Sequence, residues 1–433
     1  MNNYTTETAQ IKRDILNFSK KISFGLCKPK QKLCQDMIYG INARKSVLLS
    51  DIARGLQEET KLSYTIDRLS GHLNNMDEEY ENKIRKNYIK EALKYIDNED
   101  EYVVVLNDDT DINHEQAKKM EDLCTIRDAS SKQEKYINGY KVCEYVALSK
   151  NMKSPISLYS KVYSTTSVSF VSENNETIVG EKEVINILEK INKKPIFTRD
   201  REYDANEFFK RDIENDIKFI TRLKKNRNLI FKKKNENAYD HVLNGKGKIS
   251  IKIMYKGENR DCYISYTKVK LPCCKEKEVT LVTVYGLNYH ENDDDREEKI
   301  MMFLTNLDIK NKDDAIRVVY TYFLRWRIEE YFKVKKSYKW ESSLIRTLKG
   351  INNLNMFLTV VMLYSNEYIE KLETNFLSNI ILERALQIKE KCIVYLGQIR
   401  EGIYEILKYA KNGIRNLQKI KHKEKYKQLE LAI

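Results

Sequence analysis

YFLRWRIEEYFKVKK, residues Tyr322 to Lys336, is the stretch that best indicates the fold of this sequence. It contains neither Gly nor Pro, and its apolar and aromatic residues recur every three or four positions, which predicts a helix. At about 100° per residue, Tyr322, Arg325, Glu329 and Lys336 fall within an arc of about 60°. One carboxylate among basic groups suits a metal-bound phosphodiester, because the acid binds the ion and the cations bind phosphate oxygens. A solvated face with i,i+4 charge pairs gives the same pattern, so the rest of the chain must decide.

Short apolar runs followed by acidic residues lie upstream of this helix. The run 103–106 leads into Asp108, and the run 195–198 leads into Asp200. Functional groups of α/β sheets concentrate at the carboxyl ends of strands, where two aspartates can share a hard divalent cation. A single strand-end aspartate is ordinarily a turn former or a helix cap. Two of them, with a third carboxylate on a later helix, favour a metal site.

The order of the predicted elements is that of a mixed α/β sheet. Strands are predicted at 103–106, 140–148, 156–163, 195–198 and 218–223, with helices at 181–191 and 206–215. Further strands are predicted at 249–255, 262–269, 279–285 and 300–305. The chain is thus predicted to divide into four regions: a helical N-terminal region at 1–95, an α/β core at 96–225 and 300–345, a β-rich insertion at 226–299 and a helical C-terminal region at 346–433.

The N-terminal region contains two short amphipathic helices, within SVLLSDIARGL and TKLSYTIDRLSGHL. Their size and polarity are similar to those of a helix-turn-helix, with Ser50 as the predicted N-cap of the first helix. Lys61 and Arg68 lie on or near the second helix, where they could contact DNA. Any small helical hairpin has this pattern, so both interpretations stay open.

The charge balance favours a polyanionic partner. The sequence has 77 Lys+Arg against 64 Asp+Glu, for a net charge of +13. A Lys-rich tail at 408–427 predicts either a solvated end or a basic face for DNA or a partner subunit. The eight cysteines form no CxxC pair, which argues against zinc and predicts reduced thiols in a cytosolic protein. The most apolar run, 356–364, is too short to span a bilayer.

Taken together, these residues resemble the DDE transposases of bacterial insertion sequences, in the branch named for a Tyr-Arg-Glu-Lys signature. The spacing Tyr-x2-Arg-x3-Glu-x6-Lys is met by Tyr322, Arg325, Glu329 and Lys336. The segment 200–204, DREYD, is similar to the second-Asp motif of the family, and the segment 108–110, DDT, to the first. The resemblance covers roughly residues 100–345.

The resemblance implies a ribonuclease-H-like catalytic core, with a β-rich insertion before the helix that carries the glutamate. It implies that the catalytic carboxylates are Asp108, Asp200 and Glu329, and that they bind two Mg²⁺ or Mn²⁺ ions. It also implies residues that hold DNA phosphates near the cleavage site: Tyr322, Arg325 and Lys336, with Arg222 and Lys224 as further candidates at the end of the fifth strand. One ion would activate water or a 3′-hydroxyl, and the other would stabilise the leaving oxygen.

Some assignments have competitors. Asp109 and Asp111 compete with Asp108, whose motif position is the better match. Asp204 competes with Asp200, but it is predicted to cap the helix that follows it. Glu330 is about 100° around the helix from Glu329 and should point elsewhere.

Relatives that cleave through a DNA hairpin often carry a Trp just before the strand that leads into the last helix. That position corresponds here to Met301, which puts hairpin formation in doubt. Trp326, within the signature, is predicted to pack the helix on the sheet.

The leading hypothesis is a cut-and-paste transposase, a homodimer that binds double-stranded transposon ends and target DNA. It is expected to be cytoplasmic and associated with the nucleoid, without a membrane partner. One alternative is a catalytically silent transposition inhibitor or domesticated descendant that still binds DNA. Another is a nuclease of the same fold that does not transpose.

Overall fold

The structure is a computed structural model that describes residues 4–96, 99–128, 134–150, 152, 154–255, 258–287, 300–372, 374–386, 395–411 and 413–414. The chain forms two compact units. The sheet unit comprises Asp100–Asp108 and Leu188–Glu329, and the helix-rich unit comprises Met1–Glu99, Asp109–Ile187 and Glu330–Ile433. Most of the predicted Lys-rich tail, Cys392 and residues 288–299 of the predicted β-rich insertion lie outside the described residues.

In the described chain, five α-helices precede the first strand and five follow the last strand. The helices are α1 Tyr4–Ile22, α2 Lys28–Arg44, α3 Leu49–Leu56, α4 Leu62–Asn74, α5 Glu78–Ile96, α6 Glu173–Glu189, α7 Asn206–Glu214, α8 Ala238–Leu243, α9 Lys312–Phe323, α10 Trp326–Lys336, α11 Leu348–Ile369, α12 Phe376–Leu386 and α13 Tyr395–Leu407. The strands are β1 Tyr102–Asn113, β2 Cys124–Arg127, β3 Tyr136–Leu148, β4 Pro155–Tyr163, β5 Lys194–Arg199, β6 Lys218–Arg222, β7 Asn228–Phe231, β8 Lys234–Asn237, β9 Ile249–Tyr255, β10 Glu258–Leu271, β11 Cys274–Tyr285 and β12 Ile300–Thr305. The predicted mixed α/β fold class is confirmed.

In the sheet unit, the strands follow the order β1-β5-β6-β12-β11-β10. β5 pairs in parallel with β1 and with β6, whereas β12, β11 and β10 pair antiparallel with their neighbours. β9 and β7 both pair with β10, and β8 pairs with β7. The strands of the predicted β-rich insertion therefore extend the sheet that begins with the parallel strands.

Strand β12 is buried on both faces of the sheet, as the alternation of its side chains shows. Met302 belongs to an apolar cluster with Phe209 of α7, whereas Phe303 belongs to a second cluster with Val318 of α9. Successive side chains of a strand point to opposite faces, so a strand covered on both sides is apolar throughout. This explains why 300–305 is a continuous apolar run in the sequence.

In the helix-rich unit, β3 pairs antiparallel with both β2 and β4. A buried ion pair joins this sheet to α10: Lys335 Nζ donates to Glu144 Oε2 at 2.7 Å and to Ser160 Oγ at 3.1 Å. The side chains of Lys335 and Glu144 are both 0% exposed. Ser157 Oγ also donates to Glu144, and the Lys335 ammonium lies 4.8 Å from the Trp340 ring centroid. The charges are thus satisfied within the core.

The helix predicted for 322–336 is interrupted, so the prediction of one helix carrying all four signature residues was wrong. α9 ends at Phe323 and α10 begins at Trp326. Between them, the Leu324 N–H donates to the carbonyls three and four residues before it, and the Arg325 N–H donates to the Tyr322 carbonyl at 2.9 Å. Bonds of the i→i+3 kind tighten the backbone into 3₁₀ geometry. No Gly or Pro marks this point, so the break could not be predicted from the sequence.

The predicted helix-turn-helix corresponds to α3 and α4, but two of its expected details differ. The N-cap position of α3 is Leu48, not Ser50. Arg68 of α4 forms ion pairs with the buried Asp36 at 2.9 Å and with Glu58 at 3.1 Å. Arg68 therefore stabilises the packing of this region, because a buried carboxylate needs a cationic partner.

Candidate active site

Two aspartates lie side by side on the parallel strands of the sheet unit. The register pairs Asn107 of β1 with Arg199 of β5, so Asp108 and Asp200 are the next residues on adjacent strands. Arg199 points into the core, where it pairs with Asp212 at 2.5 Å and both side chains are 0% exposed. Alternation along the strand places Asp200 on the opposite face. β1 continues to residue 113, so Asp108 lies within a strand, not after one as the sequence predicted.

Arg325 connects this pair of strands to the start of α10. Its Nη1 donates to Asp108 Oδ2 at 3.0 Å, and its Nη2 donates to Glu329 Oε1 at 2.7 Å. The Arg325 side chain is 13% exposed, while the Glu329 side chain is 43% exposed. One planar guanidinium therefore binds two carboxylates that are far apart in the sequence.

Asp200 has its own set of hydrogen-bond donors. Its Oδ1 accepts the Arg201 N–H at 2.7 Å, which caps a short 3₁₀ turn, and the Tyr322 hydroxyl at 3.3 Å. Arg222 Nη1 lies 3.6 Å from the same oxygen. The Tyr322 ring stacks on Phe303, with centroids 4.2 Å apart, so this phenol is held by packing as well as by its hydrogen bond.

The electrostatic balance keeps Asp200 ionised. Burial acts to raise the pKa of Asp200, but the Arg325 charge, the Arg201 N–H and the Arg222 charge outweigh it and lower that pKa below its ordinary value. Burial also acts against the charge of Arg325, yet neighbouring Tyr322, Asp108, Asp200 and Glu329 raise the pKa of Arg325. Asp200 and Arg325 are therefore both held in their charged forms.

A cleft of about 240 Å³ opens beside these groups. Its wall includes Arg222, Met301, Arg325, Trp326 and Glu329. Trp326 is 40% exposed, so the prediction that it packs the helix on the sheet was wrong. The cleft combines cations, a carboxylate and an exposed indole, which are the groups that hold phosphates and stack on bases.

Comparison with known proteins identifies the family to which this chain belongs. The family model for the transposase DDE domain matches residues 99–364, which is more than half of the chain. The chain belongs to the DDE transposase family. No significant match is found among curated proteins. The mixed sheet agrees with a ribonuclease-H-like transposase core, so the predicted fold is confirmed at this finer level too.

The transposase family implies DNA binding and, in general, divalent metals, which the donor chemistry of the site fits. Asp108, Asp200 and Glu329 offer carboxylate oxygens, the ligands that Mg²⁺ prefers. Within the described part of the chain, however, no three Asp, Glu, His or Cys side chains converge closely enough to hold one ion. Arg325 lies between two of the candidate ligands instead. The carboxylates therefore suit a metal in chemical type, but here they are engaged with cations and are not close enough together to share one ion.

Two phosphate candidates of the transposase are not part of this cluster. Lys336 belongs to the helix-rich unit, where its Nζ donates to Glu341 Oε1 at 3.0 Å. It lies two helical turns after Glu329 on α10. Lys224 has an exposed side chain, and its backbone N–H donates to Asp204 Oδ2 at 2.7 Å.

The competing acidic residues have structural roles in the transposase domain. Asp109 accepts a hydrogen bond from the Tyr163 hydroxyl at 3.1 Å within the helix-rich unit. Burial raises the pKa of Asp111 in the same unit. Asp204 is buried and accepts from Arg227 Nε at 2.7 Å. The N-cap of α7 is the next residue along, so the prediction that Asp204 caps this helix was wrong.

Several cleft residues of the transposase were not predicted as part of the site. Met254 and Tyr255 at the end of β9 and Phe323 at the end of α9 line the same wall as Trp326. Nothing in the sequence links β9 to the signature helix, because the link is the strand order of the sheet. Met254 is exposed in the structure, although a large apolar side chain in a strand is usually buried.

No helix in the described ranges is both long and apolar enough to cross a membrane.

Proposed function

We propose that the chain cleaves DNA and joins the freed strand to a target, with Asp108, Asp200 and Glu329 as the catalytic carboxylates. One observation carries this proposal. Two aspartates on register-matched parallel strands and a glutamate of α10 are gathered by shared cationic partners. Glu329 and both arginines line a cleft, and charged groups gathered at a cleft favour a functional site.

Each carboxylate has a distinct part in this proposal. Asp200 stays ionised to low pH, so it is ready as a ligand whenever the protein is folded. Asp108 is fixed by the strand that carries it, whereas Glu329 is more exposed and lies on a helix. Two bound Mg²⁺ or Mn²⁺ ions would supply an activated attacking oxygen and stabilise the leaving oxygen. Membership of the Tyr-Arg-Glu-Lys branch of bacterial insertion-sequence transposases is part of the same proposal.

The basic residues of the site are proposed to hold DNA phosphates. Arg222 and Arg325 face the cleft, and arginine suits bidentate contact with a phosphate. Tyr322, Lys224 and Lys336 would join them only after side-chain movement: Tyr322 is buried on Asp200, Lys224 lies outside the cluster and Lys336 is paired with Glu341. Binding through several phosphates predicts an affinity that falls steeply with salt.

The regions outside the core are proposed to bind the transposon ends and to pair subunits. In the N-terminal region 1–95, Lys61 and Tyr64 are exposed at the start of α4. The start of a recognition helix is the part that contacts bases in a helix-turn-helix. The C-terminal region at 346–433 is proposed to support a homodimer on paired ends. The core at 96–225 and 300–345 and the insertion at 226–299 would act on the DNA, with the protein located at the nucleoid in the cytoplasm.

One observation favours a second candidate, a catalytically silent DNA-binding descendant or inhibitor. No metal-ligand cluster is formed among the described residues, because Arg325 binds both Asp108 and Glu329. A chain held in that arrangement would still offer its basic surfaces to DNA.

The test is cleavage of a labelled duplex that carries the DNA flanking the gene, in Mg²⁺ or Mn²⁺. Wild type is compared with Glu329→Gln and with a matched control, Glu330→Gln, the adjacent acid on the same helix. Cutting by wild type and by Glu330→Gln, but not by Glu329→Gln, would support the proposal. Equal cutting by Glu329→Gln would refute the assignment of Glu329. Binding without cutting by all three would favour the silent descendant.

A further inference from the structure

Arg325 holds an unusual position for a residue expected to bind DNA phosphate. Its guanidinium donates one hydrogen bond to Asp108 and another to Glu329, at 3.0 and 2.7 Å. Asp200, the third carboxylate, has Arg222 at 3.6 Å. Three carboxylates and two guanidinium groups leave this cluster with a single net negative charge, which is little attraction for a divalent cation.

The position of Arg325 also matters sterically. Two oxygens that ligate the same Mg²⁺ lie about 3 Å apart, because each is about 2.1 Å from the ion. A guanidinium bonded to one oxygen of Asp108 and one of Glu329 occupies the space between them. Asp108 and Glu329 can therefore share an ion only after Arg325 has moved.

We propose that Arg325 is a gate for the metal: it holds Asp108 and Glu329 apart until a DNA phosphate draws its guanidinium away. This inference rests on the proposed function and deepens it, since it concerns when the same site accepts its ions. The phosphate provides a bidentate acceptor that replaces the two carboxylates. Because arginine keeps its charge, the exchange moves a cation from the ligands to the DNA and leaves the carboxylates uncompensated.

The gate makes metal binding and DNA binding reciprocal. If a DNA phosphate favours the open position of Arg325, DNA raises the affinity for metal, and metal raises the affinity for DNA by the same factor. Such coupling would prevent the chain from holding an activated metal site in the absence of its substrate. Glu329, 43% exposed, lies on the side from which a phosphate could approach.

Arg222 provides a matched control. It carries the same charge and lines the same cleft, but it approaches Asp200. General electrostatics predicts that removing either arginine raises the affinity for a cation. The gate predicts a much larger effect at Arg325.

The experiment is a Mn²⁺ titration of the full-length protein, followed by electron paramagnetic resonance of the free ion. Wild type, Arg325→Gln, Arg325→Lys and Arg222→Gln are compared, each with and without a blunt duplex of arbitrary sequence. Without DNA, Arg325→Gln is expected to bind Mn²⁺ about tenfold more tightly than wild type, and Arg222→Gln no more than about threefold. Arg325→Lys, which keeps the charge but cannot bridge two carboxylates, is expected to fall between wild type and Arg325→Gln. The duplex is expected to raise Mn²⁺ affinity more in wild type than in Arg325→Gln.

Each outcome separates this inference from the proposed function. If wild type without DNA binds Mn²⁺ as tightly as Arg325→Gln, the gate is refuted and the metal site stands. If Arg325→Gln gains no more than Arg222→Gln, the effect is general charge and the gate is also refuted. If no variant binds Mn²⁺ with or without DNA, the proposed metal site itself fails. Circular dichroism of each variant checks that it is folded. If Arg325→Gln is not folded, the comparison of Arg325→Lys with wild type still tests the gate.

Discussion

The buried ion pair between Lys335 and Glu144 gives the strongest stability prediction. Both side chains are 0% exposed, and the ammonium also donates to Ser160. Replacing Lys335 with Met leaves Glu144 buried without its cation, which is expected to lower the free energy of unfolding by about 3–5 kcal/mol. Glu144→Leu leaves Lys335 buried without its carboxylate and should lower the free energy of unfolding by a similar amount.

The double variant Lys335→Met/Glu144→Leu removes both charges together. In this double variant the hydroxyls of Ser157 and Ser160 still lose Glu144 as their hydrogen-bond acceptor. That loss is expected to lower the free energy of unfolding by about 1–3 kcal/mol. The double variant should therefore be more stable than either single variant. Urea unfolding measures the difference, with the fluorescence of buried Trp340 as a reporter 4.8 Å from the Lys335 ammonium.

The pH dependence of Glu144→Gln adds a second readout. Burial lowers the pKa of Lys335 even beside its carboxylate, and loss of Glu144 would lower that pKa further. The unfolded variant then binds more protons than the folded variant between the lowered pKa of Lys335 and the ordinary value of 10.5, so its stability should rise with pH across that window. Wild type shows the same rise only above its own Lys335 pKa, so the stability of the variant relative to wild type should rise between the two folded-state pKa values. The reasoning would be refuted if the double variant lost as much free energy of unfolding as the two single variants together. It would also be refuted if the destabilisation of Glu144→Gln relative to wild type grew with pH.

Three further predictions concern other parts of the chain. Gly71→Ala should raise the free energy of unfolding by about 1 kcal/mol in urea titration, because nothing lies within 4 Å of an added Cβ. Gly402→Ala should lower the free energy of unfolding, because its Cβ would collide with the backbone carbonyl of Ile381; the reverse order of stabilities would contradict this reasoning. Asp204→Asn should lower the melting temperature through a loss of about 1–3 kcal/mol, since the buried carboxylate binds Arg227; an unchanged melting temperature would show that the pair is dispensable. Trp326→Ala should weaken the binding of a single-stranded oligonucleotide by about 1–3 kcal/mol in fluorescence anisotropy; unchanged affinity would exclude a stacking role.

Strands such as β9 could be predicted from their alternating pattern, because one face is exposed, and strands such as β12 could be predicted because both faces are buried. A run such as 300–305 is then apolar throughout and stands out against polar neighbours. The short strands β2, β7 and β8 were not predicted, because four-residue segments with polar positions have no such signal. Asp108 and Asp200 were found as strand-associated acids, but their register became visible only when the two strands were paired.

The parts of the site that could not be predicted depend on contacts distant in sequence. Asp108 and Arg325 are 217 positions apart, and no local pattern indicates that a signature arginine binds two carboxylates. The break between α9 and α10, just before Trp326, is marked by neither Gly nor Pro. Arg68 was predicted as a possible DNA contact, but it pairs with the buried Asp36 of α2. The local sequence could not indicate this partner, because it lies on another helix.

The central claim is that the gathered carboxylates bind the catalytic metal directly, and a change of ligand tests it. In Asp200→Cys, a soft sulfur replaces a carboxylate oxygen, which Mg²⁺ accepts poorly and Mn²⁺ accepts better. Cleavage of a labelled end duplex should be lost in Mg²⁺ and partly restored in Mn²⁺, while Asp200→Ala stays inactive with both ions. Wild-type cutting by Asp200→Cys in Mg²⁺, or equal cutting by Asp200→Ala, would contradict the account.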